Sequence, residues 1–199
     1  MLALPVFAAC DDPAPTDPGA PRSTPPGALP VRPLRLPTVA AGAECPTTPR
    51  QSWSGPGVAT AVLGGGPLYP VADYFMEGTV LELRDQDAGS NGSYVKKVRW
   101  ISTGYIGPVL VRAGRIDGKG TASVTFSYRG EERDGGHYAD LSTSENDIPA
   151  TTVVDGPGCY AYQVDGATFS TTIVFRAARE GAVGRPGLRD RPAPMRGVG

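Results

Sequence analysis

The placing of proline constrains this chain more than any other feature. Of its 21 prolines, nine fall within residues 11–40: Pro13, Pro15, Pro18, Pro21, Pro25, Pro26, Pro30, Pro33 and Pro37. Three more, Pro186, Pro192 and Pro194, fall in the last stretch. Proline fixes φ and removes a backbone donor, so neither a helix nor an inner strand runs through such segments. With 27 glycines the two residues reach about twice their usual share. Long helices are therefore excluded, yet 40% of the residues are hydrophobic, so the middle of the chain holds a core. Residues 11–42 read as an extended linker of polyproline character, and 179–199 as a disordered tail.

Between the tails, strand signals repeat. Ala122, Val124, Phe126 and Tyr128 alternate with Thr121, Ser123, Thr125 and Ser127, the period of a half-buried strand. The turn-rich run Gly114–Gly120 precedes them, which predicts a hairpin with a strand over 108–113. Cys159–Asp165, Gly166 and Thr168–Ala177 predict a second hairpin. Further strands are expected at 59–63, 72–75, 79–84, around Trp100 and at 151–154, with a polar loop over 131–147. Seven to nine short strands without an amphipathic helix point to an all-β fold, an antiparallel β-sandwich over residues 43–178. Trp100 is the expected core aromatic.

The chain opens with a short apolar stretch ending Phe7-Ala8-Ala9-Cys10. This resembles the end of a bacterial lipoprotein signal peptide, with Phe7 in place of the usual leucine. The stretch is short and lacks basic residues, which a true start upstream of Met1 would explain. Residues 1–10 are thus expected to be a partial signal, with Cys10 the lipidated residue and the alternative an ordinary apolar N-terminus with a free thiol. Two acyl chains on Cys10 would suffice as a membrane anchor. Export implies an oxidising compartment, and setting Cys10 aside leaves Cys45 and Cys159 as an even pair. A Cys45–Cys159 disulfide is expected, against the alternative of two buried thiols.

A net charge of −1, from 19 basic and 20 acidic residues, provides no basic stripe for nucleic acid. No run of 18 apolar residues occurs, so no transmembrane helix is expected.

The run Pro157-Gly158-Cys159-Tyr160-Ala161-Tyr162, the Gly166 turn and the apolar Ile173-Val174-Phe175 resemble the closing hairpin of uncharacterised secreted bacterial lipoproteins. Trp100, Gly107-Pro108-Val109, Ile116-Asp117-Gly118 and Cys45-Pro46 are similar too. The resemblance implies an immunoglobulin-like domain, export and a disulfide; it supplies no activity.

Few residues offer chemistry. The single histidine, His137, stands among Glu131, Glu132, Asp134 and Asp140, as a base or metal ligand would. A solvated loop accounts for the same pattern. Asp85-Gln86-Asp87 to Gly92 suggests a calcium loop, but Gly89 and Lys96 stand where oxygens are needed. Tyr160 and Tyr162 share a strand face opposite Cys159 and Ala161, so if Cys159 faces inward they are candidate exposed rings for a glycan or protein. No cofactor is expected. The leading expectation is a non-catalytic binding or scaffolding module, lipid-anchored on the extracytoplasmic side of the cell envelope, with an envelope protein or glycan as partner. The alternatives are a glycan-binding module acting through exposed tyrosines, and an envelope hydrolase or metal-binding accessory domain using His137.

Overall fold

A computed structural model describes residues 28–182, apart from Val31 and Ala41. Cys10, the signal-like start and most of the C-terminal tail lie outside these residues. The described chain is all-β. Its strands are β1 (Arg50–Ser52), β2 (Ala61–Leu63), β3 (Leu68–Pro70), β4 (Val80–Leu83), β5 (Tyr94–Lys97), β6 (Trp100–Thr103) and β7 (Gly107–Arg115). They continue with β8 (Ala122–Phe126), β9 (Glu131–Arg133), β10 (Gly136–Leu141), β11 (Glu145–Ile148), β12 (Ala150–Val154), β13 (Gly158–Gly166) and β14 (Ser170–Arg179).

One layer of the sandwich is a six-stranded sheet in the order β4-β14-β13-β7-β10-β9. Its pairs are antiparallel except β14 with β4, which run parallel. The other layer consists of two three-stranded sheets, β11-β6-β3 and β5-β12-β8. These are halves of one bent ribbon. β5 runs into β6 through Val98 and Arg99, while β11 runs into β12 through Pro149. Pro149 has no N–H to give the ladder, so the ribbon breaks there. Its carbonyl still accepts from the Ser127 N–H at 2.8 Å, and the Val98 N–H reaches Ala150 O at 2.9 Å. β1 and β2 form a small separate pair.

The core lies between the layers. Tyr160, Tyr162 and Val164 of β13 and Ile173 and Phe175 of β14 meet Trp100, Val124, Phe126, Ile148 and Val154. Trp100 packs edge-on against Tyr162 at 5.1 Å and Phe126 at 6.0 Å, while Phe175 stacks on Tyr162 at 4.7 Å. Each such fully buried ring contributes about 1.5–3 kcal/mol. The Tyr162 and Thr152 hydroxyls bond at 2.7 Å, satisfying the phenol where the two layers meet.

Several expectations change. The β13–β14 hairpin forms with Cys159 opposite Arg176 and Asp165 opposite Ser170. The predicted 108–113/121–128 hairpin does not. β7 already has β10 on one edge and β13 on the other, so β8 crosses to the opposite layer and pairs with β12. The strand expected over 72–75 is instead a single 3-10 turn, Ala72–Tyr74, with Phe75 extended at its end. The polar loop expected over 131–147 is β9, β10 and part of β11. Its strand signal, His137, Ala139 and Leu141 facing inward, is short and set among charges. Finally, residues 32–40, expected to be linker, lie against the sheet.

Candidate functional site

β13 is buried on both faces, and this locates the candidate site. Its core face carries Tyr160, Tyr162 and Val164; its outer face carries Cys159, Ala161, Gln163 and Asp165. An outer face so deeply buried needs a cover, and residues 32–39 supply it. This strap runs antiparallel to β13, from Gly166 down to Cys159. Extended and polyproline chains advance by nearly the same length per residue, about 3.1–3.4 Å, so the strap keeps step with the strand beneath.

The strap is held mostly through its backbone. The Gln163 amide acts as a fork: its Oε1 accepts from the Arg35 N–H at 2.6 Å and its Nε2 donates to Pro33 O at 3.1 Å. Lower down, the Val39 N–H donates to Ile116 O at 2.7 Å. At the upper end the Arg32 guanidinium donates to Gly166 O at 2.8 Å and Phe169 O at 2.5 Å, tying the strap to the β13–β14 turn. Leu36 and Val39, three residues apart as in a polyproline turn, point down onto Ile116, Cys159, Ala161 and Val174. Gly114 makes room for Leu36: a Cβ there would stand 2.7 Å from the leucine methyl. Backbone bonds of about 0.5–1.5 kcal/mol and half-buried side chains of about 1 kcal/mol fasten the strap by a few kcal/mol in all.

Beneath the strap lies a buried polar network. Asp165, 1% exposed, accepts from Arg112 Nη2 at 2.6 Å, Ser170 Oγ at 2.6 Å and Gln163 Nε2 at 2.9 Å. Arg112 thus fixes Asp165, Asp165 fixes Gln163, and Gln163 reads the strap. Beside the fork, a cavity of about 410 Å³ is lined by Arg32, Pro33, Arg35, Gln163, Ser170 and Thr172. Just past the strap, Cys45 is bonded to Cys159 with Cα atoms 5.5 Å apart, as expected from the cysteine count. A bond across 114 positions removes roughly 4–5 kcal/mol of unfolded-chain entropy.

Sequence reasoning found Cys45 and Cys159 but missed Arg32, Arg112, Gln163, Asp165 and Ser170. A signal was present: Gln163 and Asp165 lie in phase with Cys159, so a covered disulfide implied covered polar groups as well.

The other expected site residues lie apart from this face. Tyr160 and Tyr162 are 0% exposed and face the core, so neither can offer a ring to a glycan. Both sides of β13 are covered, which is why an inward Cys159 does not force the tyrosines outward. The Tyr160 hydroxyl reaches Asp155 at 2.7 Å, and burial followed by that bond pushes the phenol far above its ordinary range. Burial does the same to Tyr162. Burial raises the Asp155 carboxyl, but bonds from Tyr160 and the Thr121 N–H, with the Arg115 charge, outweigh it and hold the group below its ordinary value. Arg115 also bonds Asp117, whose other oxygen accepts from the Cys159 N–H at 3.0 Å. This cluster closes one end of the sandwich.

His137 sits on β10, 4% exposed, and does not lie in a solvated loop. A carbonyl only accepts, so Nε2 donates to Arg129 O at 2.9 Å. The ring meets Phe126 edge-on at 5.4 Å, and Asp140 is on the opposite strand face. Among the described residues no three His, Cys, Asp or Glu side chains group as a metal site would require. The loop expected to suggest calcium folds as one 3-10 turn. There Asp87 binds Lys96 and the Arg84 N–H, and Asn91 binds Ser93. Those oxygens are committed locally.

No protein-family model matches this chain, and no curated protein or solved structure does so significantly.

Proposed function

We propose that this chain is a cell-envelope lipoprotein, anchored through Cys10 and facing the extracytoplasmic side, whose immunoglobulin-like sandwich is a non-catalytic binding or scaffolding module. One observation carries the reading: the end of the proline-rich run is fastened along β13, and Cys45–Cys159 staples the chain just beyond it. A domain held by its N-terminus benefits from such a fastening. A pull on the tether then reaches a central strand of the six-stranded sheet instead of a terminal one. The lipobox-like start and the proline-rich stretch supply the anchor and the stalk. The disulfide favours an oxidising compartment.

The experiment is metabolic labelling with a fatty-acid analogue in a bacterial host, followed by affinity capture from the intact envelope. Label is expected in the wild type and absent from Cys10→Ala. Capture is expected to recover the same envelope protein or glycan repeatedly. Label retained by Cys10→Ala removes the anchor, and no reproducible partner removes the scaffold.

A further inference from the structure

We propose that the cavity beside the Gln163 fork is an anion site, and that its ligand is a phosphate monoester carried on a hydroxylated molecule of the sugar class. Arg32 and Arg35 stand three residues apart on the strap. A polyproline turn sets both on one flank, as it sets Leu36 and Val39 underneath. That flank faces β14. The two arginines and Pro33 line the cavity of about 410 Å³, and Gln163, Ser170 and Thr172 complete it. Ser170 lies opposite Asp165 and Thr172 opposite Gln163, so the floor is the outer face of β13 and β14. Arg35 is exposed, which leaves the cavity open to solvent. No carboxylate lines it.

Charge sets the ligand class. Beneath the floor, Arg112 already answers the Asp165 carboxylate at 2.6 Å. The ion pairs among the described residues include neither Arg32 nor Arg35. Two guanidiniums at one cavity repel each other, yet the strap is pinned so that both stay there. Arg32 is held by the carbonyls of Gly166 and Phe169, and Arg35 by its backbone N–H on Gln163. That backbone bond leaves the Arg35 guanidinium whole, a planar fork of N–H donors suited to an oxyanion. The Thr172 hydroxyl adds a further donor. Two positive charges match a phosphate monoester, which carries about −1.5 to −2 at pH 7, better than the single charge of a carboxylate. The cavity has the size of a small-molecule site, larger than a bare anion needs. Ser170 gives its proton to Asp165, so its oxygen accepts from a carrier hydroxyl. This ligand class narrows the binding role proposed above and rests on it; the anchor at Cys10 plays no part.

The test is an NMR titration of the full chain, observing the arginine Nε–H groups, with inorganic phosphate, glucose 6-phosphate, glucuronate and glucose as probes. Glucose 6-phosphate is expected to shift Arg35 and to bind more tightly than inorganic phosphate or glucuronate. Glucose is expected to shift nothing. Arg35→Gln should weaken glucose 6-phosphate by about tenfold or more, and Thr172→Val by less. Amide exchange at position 35 should stay slow in both variants, because the backbone bond to Gln163 is untouched. Arg176→Gln, further along β14 and lining a different cavity, should leave binding unchanged. A loss with Arg176→Gln equal to that with Arg35→Gln would mean attraction to general surface charge and would overturn the site. So would the absence of any shift at millimolar glucose 6-phosphate. Glucuronate binding as tightly overturns the phosphate assignment, and inorganic phosphate binding as tightly overturns the carrier. Envelope capture that succeeds while this titration fails removes the ligand and leaves the binding role; failure of both removes both.

Discussion

Asp165 shows what a single residue contributes here. A carboxylate 1% exposed is tolerated only because Arg112, Ser170 and Gln163 satisfy it together. Removing one partner is costlier than removing the pair, since an unpaired buried charge remains. Arg112→Met is therefore expected to lose about 3–5 kcal/mol in urea denaturation, and adding Asp165→Leu to recover most of it. Gln163→Ala has a narrower effect: a loss of about 1–2 kcal/mol, with faster amide exchange at Arg35. Asp155 gives a pH signature. Its folded pKa lies below the unfolded value, so its stabilisation is complete above the ordinary aspartate range and is lost as pH falls through the folded value. Melting temperature should drop on acidification through that window, and Asp155→Asn should flatten the drop. An acid limb unchanged by the substitution would remove Asp155 from that role.

Elements differ in how openly the sequence announced them. The β13–β14 hairpin was legible because alternation, a glycine turn and an apolar arm agree over Cys159–Ala177. β8 was legible as a strand but not in its pairing. Alternation fixes which face is apolar and says nothing of which edge is free, and β10 and β13 had taken both edges of β7. β9 and β10 were hidden because Glu131, Glu132, Arg133 and two glycines mask three inward residues. The strap was hidden by its own prolines. Composition marks such a run as unable to pair in a sheet, and it does not pair; it is seated through a side-chain fork instead. Only the spacing of Leu36 and Val39 before Cys45 hinted at contact. Leu36→Ala should therefore act locally, raising amide exchange at Val39 while leaving exchange within β7 and β13 unchanged. Uniformly faster exchange would mean that Leu36 supports the whole sandwich.

At the scale of the molecule, a proline-rich leader is joined to a two-layer sandwich along one of its inner strands. The fold needed little more than alternation and turns to be anticipated. The fastening depended on contacts between residues some 130 positions apart, which local patterns do not encode. Opening Cys45–Cys159 by double substitution to serine should lower stability by up to roughly 4–5 kcal/mol, seen as a lower urea midpoint. The most direct test of the fastened leader is native-state amide exchange of the Arg35 and Val39 N–H groups in the full chain. Both donate hydrogen bonds to the sheet side, to Gln163 and Ile116. Protection well above that of a free chain is predicted for both, weakened at Arg35 by Gln163→Ala and at both positions by the double serine substitution. Exchange at free-chain rates in the wild type would contradict the seated strap and, with it, the fastening of the proline-rich segment along β13.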